Sequence, residues 1–137
     1  MTKGLLGIAY KPGGRDAERD GGLDCWGFFR HARKVLGMSV PPVELLEDGE
    51  RNEDRIDNRR NGGEWERIGR AEPGCLVLFE KDGARRRYHV GIVMSDGLTF
   101  AHCPFGGESR TDRLDCQLYA KWRRTFYRYG GKHGQQD

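Results

Sequence analysis

The chain has 137 residues, a formal net charge of +3 and 33% charged side chains, enough for one domain with a modest core. So small a basic excess speaks against a dedicated nucleic-acid binder, and no apolar stretch approaches the length of a membrane span. Four scattered cysteines, Cys25, Cys75, Cys103 and Cys116, include no C-x-x-C pair, which argues against a zinc ribbon or a redox dithiol and predicts free thiols in a reducing compartment.

The N-terminus MTKGLLGIAY has one lysine and a short apolar run broken by glycine. It lacks a signal-peptide core and cleavage site, so the expectation is folding in the cytoplasm where the chain is made. Residues 4–10 read as a short helix or turn, and KPGGRDAERDGG as a Gly-rich charged loop. The strongest helix follows in LDCWGFFRHARKVLG. Asp24 is a good N-cap, and Phe28, Ala32, Val35 and Leu36 recur on one face. Arg33 and Lys34 suit the negative end of the dipole, and Gly37 suits the residue after the cap.

VPPVELLEDG suggests a short helix around 44–47. The segment that follows is nearly all charge, with only Ile56, Trp65 and Ile68 to bury. It predicts a surface excursion over about 44–70, partly helical or mobile, and no second domain. From Pro73 the pattern becomes strand-like. CLVLFE is one apolar run, YHVGIVM and LTFAHC flank the hairpin signal SDG, and RRTFYRY reads as a further strand. Residues 130–137 predict a loose polar tail within a single domain of 1–137. Helices followed by an antiparallel sheet give the class α+β.

If the hairpin turns at Asp96 and Gly97 through a two- or four-residue loop, Gly91 opposes His102, and His89 shares its face. The two histidines are then diagonal neighbours roughly 7–8 Å apart at the backbone. A three-residue loop would put one on the other face. Cys25 stands at the first helical position, where unsatisfied amides and the dipole favour an anionic sulfur. A nearby imidazole can take the thiol proton, a second polar group can orient that imidazole, and amides of the first turn, including that of Cys25, can serve an oxyanion. A buried core thiol is an equal reading from this stretch alone. Zinc is a third, with Cys25, His89 and His102; Cys103 points away from His102 and makes a poor fourth ligand.

Taken together, AYKPGG, GGLDCWGFFR, EPGCLVLF, YHVGIVMSDGLTFAH and the closing FYRY resemble the NlpC-type cysteine peptidases, papain-like enzymes that cut peptidoglycan stem peptides. The resemblance runs from about residue 5 to 129, outside the charged excursion. It implies a papain-like fold with an N-terminal catalytic helix packed on a small antiparallel sheet. By position it makes Cys25 the nucleophile, His89 the general base and His102 the residue that orients the base. Tyr10, Asp24 and Trp26 become the expected substrate-binding residues, although Tyr10 also reads as a core-packed aromatic and Asp24 as a pure N-cap. No cofactor or metal is invoked.

Where the family usually has P-G-D, this chain has Pro73, Gly74 and Cys75, which leaves Cys75 to the core. D-C-W-G resembles the branch found in phage tails. With the leaderless N-terminus it leads to an expectation of a virion tail-tip protein, made in the host cytoplasm and acting in the host envelope. Its expected partners are the stem peptide, cut between D-glutamate and the diamino acid, and other tail-tip or hub proteins. A structural tail-tip protein with little hydrolytic role and a thiol acyltransferase or amidase on the same scaffold are the alternatives. The basic runs at 84–87 and 121–124 read as solvated strand ends. Trp65 and Trp122 read as core or interface, and His31 and His133 as inert.

Overall fold

The computed structural model describes residues 4–42, 56, 64–82 and 87–130. The helix expected at 44–47, most of the charged excursion, residues 84–86 and the tail beyond 130 lie outside them. In chain order the elements are α1 (Ala17–Asp20), α2 (Cys25–Val35), β1 (Trp65–Ile68), β2 (Leu76–Lys81), β3 (Arg87–Val93), β4 (Thr99–His102), β5 (Arg110–Arg113), a 3-10 turn (Gln117–Tyr119) and β6 (Arg123–Tyr129). The strands form a six-stranded sheet in the order β1-β6-β2-β3-β4-β5, with every neighbouring pair antiparallel. The expected α+β class follows from this order.

Period-two alternation divides the core into two layers. Leu76, Leu78, Val90, Ile92 and Ala101 face α2 and pack with Trp26, Phe28, Phe29 and Ala32. Cys75, Val77, Phe79, Val93 and Phe100 form the other face, covered by Leu114, Tyr119 and Trp122. β2 and β3 are buried on both faces, which is why their sequences read as continuous apolar runs. Val35 is 41% exposed and is not part of the buried stripe; the helix meets the sheet through Phe28, Phe29 and Ala32 instead.

Two stretches correct the sequence reading. The charged loop holds the short α1, capped by Asp16, whose carboxylate accepts from the Glu18 and Arg19 N–H groups. Part of the excursion is β1, paired with β6 from Trp65 opposite Tyr129 to Ile68 opposite Phe126. Trp65 is buried there with its ring 4.6 Å from that of Tyr129.

The helix ends as expected, with Gly37 at φ 75°. The Met38 N–H reaches the Arg33 carbonyl at 2.8 Å and the Gly37 N–H that of Lys34 at 3.1 Å, a Schellman closure. Arg33 does more than complement the dipole. It is buried, and donates from Nε to the Ser39 carbonyl, from Nη1 to that of Gly74 and from Nη2 to that of Tyr129, at 2.8, 2.8 and 3.3 Å. One guanidinium thereby joins the end of α2, the entry to β2 and the end of β6.

The head of α2 is equally constrained. The Asp24 N–H donates to the Gly14 carbonyl, and a Cβ on Gly27 would lie 2.1 Å from that same oxygen. In an unconstrained helix, replacing glycine by alanine stabilises by about 1 kcal/mol. Here Gly27→Ala reverses the sign and costs about 1–3 kcal/mol by overpacking, measurable as a lower urea midpoint; a stabilised variant would refute the close approach.

Candidate functional site

The loop after α1 delivers Cys25 to the first position of α2, with Asp24 as N-cap. Asp24 Oδ1 accepts from the Gly27 N–H at 2.7 Å, and Oδ2 is ion-paired with the Arg15 guanidinium. Both Asp24 oxygens are therefore engaged, one in the helix cap and one in the ion pair. The Gly27 N–H goes to Asp24 Oδ1 and the Phe28 N–H to the Asp24 carbonyl, so neither of these two amides is left for an oxyanion.

The hairpin brings the histidines together. The pairs Ile92 with Ala101 and Val93 with Phe100 carry the register on to Gly91 opposite His102. The loop is the four-residue form, closed by the Met94 N–H on the Thr99 carbonyl at 2.9 Å. Gly91 is needed: a Cβ there would lie 2.6 Å from the Phe100 ring and 3.3 Å from the His102 Cβ. His89 Nε2 and His102 Nδ1 are 2.8 Å apart and hydrogen-bonded, with both rings buried.

Tyr10, Asp24, Cys25 and His89 line one cavity of about 970 Å³. His102 has no accessible surface and sits behind His89. Arg87, Arg110, Tyr119 and Trp122 add to the cavity wall, and Phe105, 83% exposed, stands at its rim with its ring 5.3 Å from Tyr10. The expected role of Trp26 is corrected. It has no accessible surface and stacks on Phe29 at 5.5 Å inside the core, so it offers no face to a substrate.

The other expectations separate cleanly. The Cys75 thiol is pushed up to about 11, chiefly by burial. Cys103 is also pushed up to about 11, by burial and then by the Asp24 charge, and its sulfur lies 3.4 and 3.5 Å from the Ile8 and Leu23 carbonyl oxygens. Both behave as core thiols. Among the described residues, no three His, Cys, Asp or Glu side chains are grouped to hold a metal ion, and no helix is long and apolar enough to cross a membrane. His31 ties the N-terminal turn to α2 through Nε2, 2.8 Å from the Gly4 carbonyl oxygen. His133 lies outside the described residues.

Three contributors were not legible in the sequence. Asp112 on β5 accepts from His102 Nε2 at 2.7 Å and from Arg110 Nε at 2.8 Å. Tyr119 lies parallel to His89 at 4.9 Å and also stacks on Phe79. Its phenol is raised above its ordinary value by burial and by the nearby Cys25. The strand RTDR has no apolar residue to reveal it, and the 3-10 turn that carries Tyr119 is too short for periodicity.

Burial pushes His89 from the ordinary 6.5 down to about 3, helped by His102 and by the Arg110 charge. His102 is also lowered by burial, which the Asp112 bond opposes and the Arg110 charge reinforces. Both rings are therefore neutral at pH 7. The unfolded chain protonates His89 near 6.5 while the fold resists until about 3, so acidification through this window favours unfolding. Relative to His89→Gln, the wild type loses up to about 1.4 kcal/mol per pH unit below 6.5. Urea midpoints of the two proteins at pH 7, 6 and 5 check this, and parallel trends would contradict a buried neutral imidazole.

A thiol at a helix head, sharing a cavity with a buried, hydrogen-bonded imidazole pair, is equipment for acyl transfer. No curated protein matches the chain in sequence. The profile of the NlpC/P60 family matches residues 7–128, which takes in α1, α2 and almost all of the sheet. The chain belongs to the NlpC/P60 family, the cysteine peptidases that act on peptidoglycan.

Proposed function

We propose that this protein, read as one peptidase domain over 1–137, is an endopeptidase of peptidoglycan stem peptides. Cys25 is the nucleophile, His89 the general base and His102 the residue that orients it. The observation that carries this reading is the shared cavity of Cys25 and His89, with His89 held by His102 at 2.8 Å.

In the first half-reaction the Cys25 sulfur bonds to the scissile carbonyl carbon as its proton passes to His89. The C–N bond breaks, and the same proton leaves on the amine. Water then adds to the thioester and gives a proton to His89. The C–S bond breaks, and that proton returns to the sulfur. One peptide bond and one water thus become an acid and an amine. Asp24 and Tyr10, on the cavity wall beside Cys25, form the substrate-binding side, and Phe105 extends its rim.

The scissile bond is the amide between D-glutamate and the diamino acid, a choice supported by sequence resemblance. The D-C-W-G sequence supports a place in a phage tail tip, among other tail-tip or hub proteins. There the protein opens the host wall during DNA delivery, having been made in the host cytoplasm. Because Trp26 is buried, its link to that branch is one of sequence and core packing, and it makes no substrate contact.

Purified sacculi incubated with wild type yield fragments cut between D-glutamate and the diamino acid, read by mass analysis of muropeptides. Cys25→Ala keeps its melting behaviour and releases none. Full release by that variant overturns the nucleophile, and cleavage elsewhere overturns the bond. Gradient-purified virions contain the protein; particles that infect normally without it overturn the tail-tip role.

A further inference from the structure

Resting on the peptidase reading above, we infer that Asp112 is a positioning residue that fixes the tautomers of both His102 and His89. The geometry is a chain of three side chains on three adjacent strands. Asp112 Oδ2 lies 2.7 Å from His102 Nε2, and His102 Nδ1 lies 2.8 Å from His89 Nε2. His102 has no accessible surface, so water does not compete for either nitrogen.

The proton positions follow from donor and acceptor chemistry. Partial burial opposes the Asp112 charge, but hydrogen bonds from Arg110 and His102 outweigh it and hold the carboxyl below its ordinary range. Asp112 is therefore an acceptor only. His102 must carry its hydrogen on Nε2. A neutral His102 then has a bare Nδ1, which accepts, so His89 must donate from Nε2. A neutral His89 is left with its lone pair on Nδ1, the one ring nitrogen not bonded to His102. That nitrogen is the atom that must take the Cys25 proton.

Arg110 makes the carboxylate necessary. Its Nε is 2.8 Å from the same Asp112 oxygen that His102 uses. Remove the carboxylate, and the guanidinium beside His102 favours a bare Nε2. The hydrogen moves to His102 Nδ1, His89 Nε2 becomes the acceptor, and the His89 hydrogen sits on Nδ1. The base then presents a hydrogen where it needs a lone pair. Because both donors converge on one oxygen, an asparagine carbonyl placed there reproduces both bonds.

The test reads tautomers and turnover separately. Nitrogen-15 NMR of Cys25→Ala protein with labelled histidines at pH 7 finds hydrogen on Nε2 of both His89 and His102. Adding Asp112→Ala moves it to Nδ1, and adding Asp112→Asn leaves it on Nε2. In the protein with Cys25 intact, Asp112→Ala lowers kcat on a soluble stem peptide by about 10- to 100-fold, the size known for metal-bound histidines that lose their hydrogen-bonded partner. KM stays within about twofold, and Asp112→Asn recovers most of kcat.

Unchanged tautomers in Asp112→Ala, or a shift that leaves kcat intact, overturns the inference. If Asp112→Ala does not fold, the Cys25→Ala spectrum alone decides, since hydrogen on His102 Nδ1 overturns it. Hydrolysis by Cys25→Ala instead overturns the peptidase reading and leaves the tautomer measurement standing.

Discussion

Two imidazoles on adjacent strands share a hydrogen bond only when the strands are held in one register. A slip of a single residue between β3 and β4 would send His102 to the α2 face, against Val90 and Ile92. The turn prevents this. Asp96 Oδ1 accepts from the Leu98 and Thr99 N–H groups at 2.9 Å each, and Gly97 supplies φ 71°. Those backbone bonds hold the Asp96 carboxyl below its ordinary range, the expected mark of a carboxylate built into a turn. A solvent-exposed turn thus determines whether the buried His89 ring has its partner.

The Cys25 side is held by a different device, close backbone approach. The Leu23 N–H donates to the Ala9 carbonyl and the Lys11 N–H to the Leu23 carbonyl, both at 3.0 Å. A Cβ on Gly14 would come 2.3 Å from the Gly22 carbonyl oxygen. Three chain segments therefore lie against one another where Cys25 begins its helix. The same N-terminal segment is laced to the chain just before β5. The Ser109 hydroxyl accepts from the Ile8 N–H at 2.9 Å, and the Ser109 N–H donates to the Ile8 carbonyl at 2.8 Å. Tyr10 and Asp112 are thus carried by segments fastened to each other, which sets cavity wall and proton-holding chain in one frame. Such rigidity is what positioning a nucleophile and base requires.

What the sequence reveals follows from how each element is buried. α2 announces itself because Asp24, the apolar stripe and Gly37 all mark the same helix. β2 and β3 announce themselves because burial on both faces demands unbroken apolar runs. The edge strands do not. β5 is RTDR, with no residue fully buried, and β1 is WERI, with Trp65 alone deeply buried. Their place is decided by partners distant in the chain: β1 joins the sheet through Tyr127 and Tyr129, more than fifty residues on. Trp26 misleads for a related reason. Adjacency to Cys25 suggests the cleft, but the next residue of a helix points about 100° away, and here that direction is the core. Cys25, His89 and His102 were legible because a cap and a hairpin are local. Asp112 was not, because nothing local requires an acid in a strand without apolar residues.

The burial that pairs the histidines also makes His89 less basic. A general base works best with a pKa near the working pH, and His89 is pushed to about 3. Alone, such a ring would be a poor proton acceptor. An anionic Cys25 sulfur facing the shared cavity favours the imidazolium. Behind it, the ionised Asp112 favours a proton on the imidazole pair, though Arg110 cancels part of that charge at longer range. The resting ring is neutral. Tyr119, parallel to His89 at 4.9 Å, covers one of its faces and keeps out the water that would otherwise restore its ordinary value. The burial that lowers His89 is thus the same burial that fixes the ring against His102 and leaves Nδ1 as the nitrogen not bonded to it.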